Sequence, residues 1–222
     1  MRKSRTKLNH FNSIQEFQKF ITETYQFVKN KFIENNHSQS HSLEHTIRVT
    51  NTCLTLAQRL GAKIDILLTA ALFHDVGRAE EEKTGQNHAE ISAEIAEDYL
   101  RNQGKQDMVN EVCDAIISHR FSVKTEPKFK EGKILKDADA LDALGTIGLY
   151  RVVSYSAERN VDMQGTNKHF HDKLLVLSSL MHFKFSRKLA EKKSKILISF
   201  SNGLERNIDK SKFEKLLQRL EK

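Results

Sequence analysis

Residues 64–78 read IDILLTAALFHDVGR. From Ile66 to Phe73 the run is apolar apart from Thr69, which fits a helix buried all round rather than a half-solvated one. Asp65 can cap its start, and Gly77 stops it after about Val76. His74 and Asp75 then fall in the last turn of a buried helix. Neighbouring residues on a helix stand about 100° apart, so both heads can lean toward one point beyond its end. Taken alone, the pair has a plain explanation, because a helix C-terminus favours a histidine and an aspartate beside it can pair with it.

Helical spacing continues on both sides. Ser13 and Glu16 fit a capping box, followed by Ile14, Phe17, Ile21, Tyr25, Val28 and Phe32 at helical intervals. A helix over about 42–60 buries Val49, Cys53, Leu56 and Leu60 and ends at Gly61. The charged stretch 78–87 reads as loop. Helices follow over about 88–103, 106–119 and 133–158, with an extended loop at 120–132 around Pro127, the single proline. Phe170, Leu174, Leu177 and Met181 open a C-terminal pair or triplet of helices, the last over about 210–221.

One proline and nine glycines in 222 residues supply too few turns for a sandwich or barrel. No segment alternates with period two, and there is no internal repeat. The expectation is an all-α fold: a single-domain helical bundle over residues 13–222, behind a basic N-terminal tail over 1–12. No apolar run reaches the roughly 18 residues of a membrane span, and the basic start has no apolar segment behind it to make a secretory signal. Cys53 and Cys113 read as buried thiols of a reduced, cytoplasmic protein. Lys and Arg exceed Asp and Glu by 36 − 29 = 7. Such an excess solvates the surface and draws in phosphate-bearing ligands. Without interleaved aromatic and basic residues, nucleic acid is not the expected partner.

The His74-Asp75 pair has company. His45, Arg48 and Thr52 share one face of the preceding helix, apart from the apolar stripe. Residues 134–145, ILKDADALDALG, place three aspartates in an otherwise apolar helix. Carboxylates there are costly unless paired or coordinated. Asp139 and Asp142 are three apart and share a face. Asp137 points roughly 200° away from Asp139 and reads as solvated or as a cap. Two imidazoles and two carboxylates suit a divalent first-row metal, with magnesium competing, and four protein ligands leave positions open for water and a substrate oxygen.

His45, His74-Asp75 and Asp139 in this order match the signature of the HD-domain metal-dependent phosphohydrolase superfamily. HSLEHTIRV (41–49), AALFHDVGR (70–78) and DADALDALGTIGLYR (137–151) resemble the corresponding stretches of a bacterial subgroup of uncharacterised HD hydrolases. HFHDKLLVL (169–177) and SRKLAEKKSK (186–195) resemble its C-terminal region, so the likeness runs from about residue 20 onward. It departs at Ser42, where the subgroup often has Asp, and at Ala140, where it often has Arg.

The resemblance implies an HD-type helical bundle. It assigns metal ligation to His45, His74, Asp75 and Asp139, with Mn, Mg, Fe, Ni, Co or Zn as the ion. The implied activity is hydrolysis of a phosphate ester by metal-activated water. A small phosphorylated molecule, a nucleotide, is the expected substrate. Arg78 and Arg48 are placed to bind phosphate oxygens in bidentate fashion, and His41 lies at the rim of the same substrate site. Asp75 or Asp142 would orient the water or take its proton; Asp142 can instead hold a ligand from behind. His88 and His119 either face the substrate phosphate as donors or hold a second ion. His169, His171 and His182 read as surface or satisfied histidines. The alternative is a catalytically silent module that binds metal and nucleotide as a sensor, against which the complete ligand set argues. Nothing in the sequence speaks to oligomeric state.

Overall fold

The computed structural model describes residues 8–34, 42–120, 125–208 and 211–220. Among these residues there is no strand; helices and short 3₁₀ or π turns form the structure. The chain divides into two compact units, Met1–Asp142 with His182–Ser186, and Ala143–Met181 with Arg187–Lys222.

The first unit holds α1 (Ile14–Glu34), α2 (Leu43–Leu60), α3 (Ile64–Phe73), α4 (Arg78–Thr84), α5 (His88–Asn102), α6 (Val109–Ser118) and α7 (Lys130–Asp142). Helix α3 is its axle. Every residue from Asp65 to Phe73 is buried, and α1, α2, α5, α6 and α7 all pack on it. A helix apolar on every side has no face to spare for water, so it can sit only at the centre.

Helix α1 starts as its sequence predicts. Ser13 Oγ accepts from Glu16 N at 3.0 Å, while Glu16 Oε2 accepts from Asn12 N at 3.0 Å, one residue ahead of the usual capping-box partner. Phe17, Phe20, Val28 and Phe32 are buried. Ile14 is not; it stays 62% exposed, because Phe11 packs its ring at 5.3 Å from Phe17 and 5.0 Å from Phe20 and turns the stripe toward Phe20.

Asp65 lies in the first turn of α3 rather than at its N-cap position, and its Oδ1 accepts from Ile66 N at 3.0 Å. Its Oδ2 accepts from Asn9 N, His10 N and His10 Nδ1 at 2.8–2.9 Å, so a fully buried carboxylate ties residues 9 and 10 of the expected tail into the unit. Residues 1–7 of that tail lie outside the described residues.

Helix α3 ends at Phe73, and His74–Gly77 form a turn. The expected loop at 78–87 contains α4. Glu80 and Glu81 in its first turn suit the positive end of the helix dipole. Gly85 closes it in the left-handed conformation (φ 75°), donating its N–H to Glu81 O. Gly77 is required by space: a Cβ there would lie 2.7 Å from His88 O.

The helix expected over 133–158 is two helices. Helix α7 stops at Asp142, and α8 (Gly145–Glu158) begins at a glycine with φ +79°, a conformation strained for any residue with a side chain. Asp137 on α7 is buried rather than solvated. It accepts from His182 N (2.9 Å), His182 Nδ1 (3.0 Å) and Phe183 N (3.2 Å). It thus ties down the two residues that lead into α10 (Lys184–Ile208) from another part of the chain and satisfies its own buried charge.

The second unit contains α8, α9 (Met163–His169), a π turn at Phe170–Leu174, a 3₁₀ turn at Leu177–Leu180, the body of α10, and α11 (Ser211–Leu220). Phe170, Leu174, Leu177, Met181, Ala190 and Leu197 are buried. His171 is satisfied by Glu205 at 3.0 Å and Ser201 at 2.9 Å.

Candidate metal centre

Four elements of the first unit deliver imidazoles to one place. His45 comes from α2, His74 from the turn after α3, His88 from the start of α5 and His119 from the end of α6; all four are at most 1% exposed. Each Nδ1 is engaged by an oxygen that only accepts. His45 Nδ1 lies 2.8 Å from Asp142 Oδ2, His74 Nδ1 2.7 Å from Ala71 O, His88 Nδ1 2.8 Å from Glu81 Oε2, and His119 Nδ1 2.6 Å from Ile116 O. Each Nδ1 therefore carries a proton toward its acceptor, which leaves Nε2 of every ring directed inward, the arrangement a histidine ligand adopts once Nε2 is deprotonated.

Two carboxylates meet these nitrogens. Asp75 Oδ2 is 3.5 Å from His45 Nε2 and 3.7 Å from His74 Nε2. Its Oδ1 is 3.3 Å from His88 Nε2 and 3.6 Å from His119 Nε2. Asp139 Oδ1 is 3.3 Å from His45 Nε2. Two groups result, His45–His74–Asp139 and His74–Asp75–His119, each with ligand atoms within 4.8 Å of one another. Asp75 is 2% exposed and Asp139 is 26% exposed, so the cluster reaches solvent on the Asp139 side.

The residues fit a divalent ion. The Nε2 atoms of His88 and His119 are buried and make no hydrogen bond among the described residues, and polar atoms buried without a partner are rare unless something else satisfies them. His45 and His74 hold their Nε2 atoms 3.3 Å apart, where a shared cation relieves the crowding. The charges point the same way. Burial lowers the His45 pKa, but hydrogen bonds to Asp139 and Asp142 outweigh it and raise it to about 9. Burial also pushes Asp139 up, yet the His45 hydrogen bond and charge hold it well below the usual carboxylate range. Burial drives His74 down to about 4 and lowers His88 as well. A site that favours positive charge on His45 beside carboxylates, while burial works against charge on His74 and His88, suits a cation.

The arginines behave differently from one another. Arg78 donates its Nε to Asp75 Oδ1 at 2.9 Å and stands at the cluster, as its sequence position predicts. Arg48, expected to face phosphate, turns its fork to Asp142, with Nε and NH2 at 2.8 and 3.0 Å. Asp142 thus sits behind His45, holding both ring and guanidinium. His41 lies outside the described residues.

Two residues escaped the sequence reading. Glu81 accepts from His88 Nδ1 and lies 3.3 Å from both Arg78 NH1 and Arg120 NH1. With 78–87 read as loop, nothing placed Glu81 one helical turn beyond Arg78. Arg120 adjoins His119, but a lone arginine after a helix carries no signal of its own.

The HD domain family model matches residues 42–144, the span that carries all six cluster residues. A crystal structure of a predicted HD superfamily hydrolase from an uncultured Thermotogales bacterium is 30% identical, with a TM-score of 0.64 over 85% of this chain and 92% of that one. The chain belongs to the HD superfamily. A second relative is YpgQ of Bacillus subtilis, 26% identical over 176 residues, covering 77% of this chain and 86% of that protein. Its crystal structure in complex with ADP matches with a TM-score of 0.70 at 25% identity, over 86% and 96% of the two chains. Ribonuclease Y of Pseudothermotoga lettingae is 34% identical over 101 residues, which span 46% of this chain and only 18% of that protein. No helix among the described residues is long and apolar enough to cross a membrane.

Proposed function

We propose that this HD protein is a metal-dependent phosphohydrolase acting on a nucleotide. The observation that carries the reading is the cluster itself: four inward Nε2 atoms around the Asp75 carboxylate, with the Arg78 guanidinium on that same carboxylate. The ADP complex of YpgQ supports the nucleotide.

His45, His74, Asp75 and Asp139 would hold the ion. A divalent ion there supplies Lewis acidity toward a phosphoryl oxygen and makes water a nucleophile near neutral pH. Arg78 donates to phosphoryl oxygens as charge grows on them. Asp142 is committed to His45 and Arg48, so of the two carboxylates first considered for the proton of the attacking water Asp75, at the cluster itself, is the one retained. Asp142 fixes the His45 tautomer and ring direction. His88 and His119 fit ligands of a second ion better than phosphate donors, because their Nδ1 atoms carry the protons and their Nε2 atoms offer lone pairs.

The test gives purified protein Mn, Mg, Fe(II), Ni, Co or Zn, with an aryl phosphate, a nucleotide panel and a short RNA. The expected result is metal-dependent release of phosphate or nucleotide that Asp75→Ala abolishes. Nucleotide affinity without turnover under any metal would favour the silent sensor module instead. Turnover of RNA alone would move the substrate class to the one that the name ribonuclease Y indicates.

A further inference from the structure

Beside the ligand cluster, two guanidiniums share one carboxylate. Glu81 Oε2 accepts from Arg78 NH1, and Glu81 Oε1 accepts from Arg120 NH1, each at 3.3 Å. Both arginines are fixed a second time, Arg78 by Asp75 Oδ1 at 2.9 Å and Arg120 by Asn87 Oδ1 at 2.9 Å. A guanidinium carries five N–H donors. The contacts engage Nε and NH1 of Arg78 but only NH1 of Arg120. Arg78 NH2 and the Nε and NH2 of Arg120 make no hydrogen bond to another described residue. The two side chains are 21% and 27% exposed, so these donors are held in place and open to solvent at the edge of the cluster.

We propose that Arg78 and Arg120 form a subsite for a second phosphoryl group, and that Arg120 makes the protein prefer nucleoside di- and triphosphates over monophosphates. The inference rests on the reading that the cluster acts on a nucleotide. Arg78 touches Asp75, so the phosphoryl group that meets Arg78 is at the cluster. Arg120 is linked to Arg78 through the two oxygens of Glu81, so the subsite gives the phosphoryl group at the cluster to Arg78 and the next one in line to Arg120. Glu81 and Asp75 already neutralise the two arginines, so net attraction is small. The gain comes from direct donation by the idle, planar N–H forks, which match phosphate oxygens in pairs. Such a subsite depends on the shape of the donor as well as its charge.

The test is calorimetric binding of AMP and of α,β-methylene-ADP to manganese-loaded wild-type protein, Arg120→Ala and Arg120→Lys. Wild type is expected to bind the diphosphate at least about tenfold more tightly than AMP. Arg120→Ala should erase about tenfold of diphosphate affinity and move AMP less than about twofold. Arg120→Lys should restore little, since lysine keeps the charge and loses the fork. If both variants bind the two ligands in the wild-type ratio, the subsite is refuted while the nucleotide reading stands. If wild type binds neither ligand, the nucleotide reading falls and takes the subsite with it. Should circular dichroism show Arg120→Ala unfolded, Arg120→Lys decides by the same ratio.

Discussion

Asp142 Oδ2 lies 2.8 Å from His45 Nδ1, across 97 positions of sequence, and Arg48 grips the same carboxylate. This is a hold on a ligand from behind. Asp142→Asn should leave the fold intact and weaken divalent-metal affinity about 10- to 100-fold. Competition against a chromophoric chelator measures it. An unchanged affinity would show that His45 is oriented without Asp142.

Asp75 approaches all four imidazoles and Arg78, so no other side chain can stand in for it. Elemental analysis of protein as purified should find close to stoichiometric divalent metal. Asp75→Ala should lose most of it. Full metal content in that variant would place the ion elsewhere.

Much of this centre was legible before any coordinates. Asp139 separates from Asp137 on helix geometry alone, because a two-residue step turns the side chain most of the way round. The apolar run before His74 fixes that histidine at the heart of the unit. What sequence could not carry was partnership at a distance. Asp137 read as solvated or as a cap because its three donors come from His182 and Phe183. Arg48 looked free because Asp142 lies far along the chain. The break at 143–145 was hidden because ALG is compatible with a helix, and an extended Leu144 followed by the left-handed Gly145 makes the break.

The start of α8 sets a close approach. A Cβ on Gly148 would lie 2.1 Å from Ala143 O, whereas one on Gly203 meets nothing within 4 Å. Gly148→Ala should destabilise by about 2–3 kcal/mol. Gly203→Ala, within α10, should stabilise by about 0.5–1 kcal/mol. Thermal unfolding of the two variants provides the comparison, and equal shifts would contradict the packing at Ala143.

Burial raises the Cys53 thiol far above its ordinary value and pushes Cys113 up to about 11. At pH 8 Cys113 is then thiolate to about one part in a thousand. Neither cysteine should react with an aromatic disulfide reagent in the minutes a free thiol takes, and both should react in denaturant. Cys53 is buried as expected but Cys113 is only half-buried, so rapid labelling of the native protein at both thiols would refute the burial of Cys53 and the raised pKa of Cys113.

Lys136 is 5% exposed, and its Nζ reaches Thr125 O at 3.2 Å. Burial lowers its pKa below 10.5, against the pull of Glu126 and Asp137. A lysine lowered on folding costs stability while both states are charged, and the cost fades as pH rises through the folded value toward 10.5. Lys136→Met should therefore stabilise by about 1 kcal/mol near pH 7 and by less near pH 10. Urea denaturation at the two pH values checks both size and trend.

The donors that Asp137 needs arrive 45 residues after it. On the ribosome, the portion bearing the histidines is made first but cannot be finished first. Its Asp137 carboxylate waits, bare, while the polypeptide travels out through a different unit and comes back. Any shortened gene product that stops at Asp142 inherits that wait permanently.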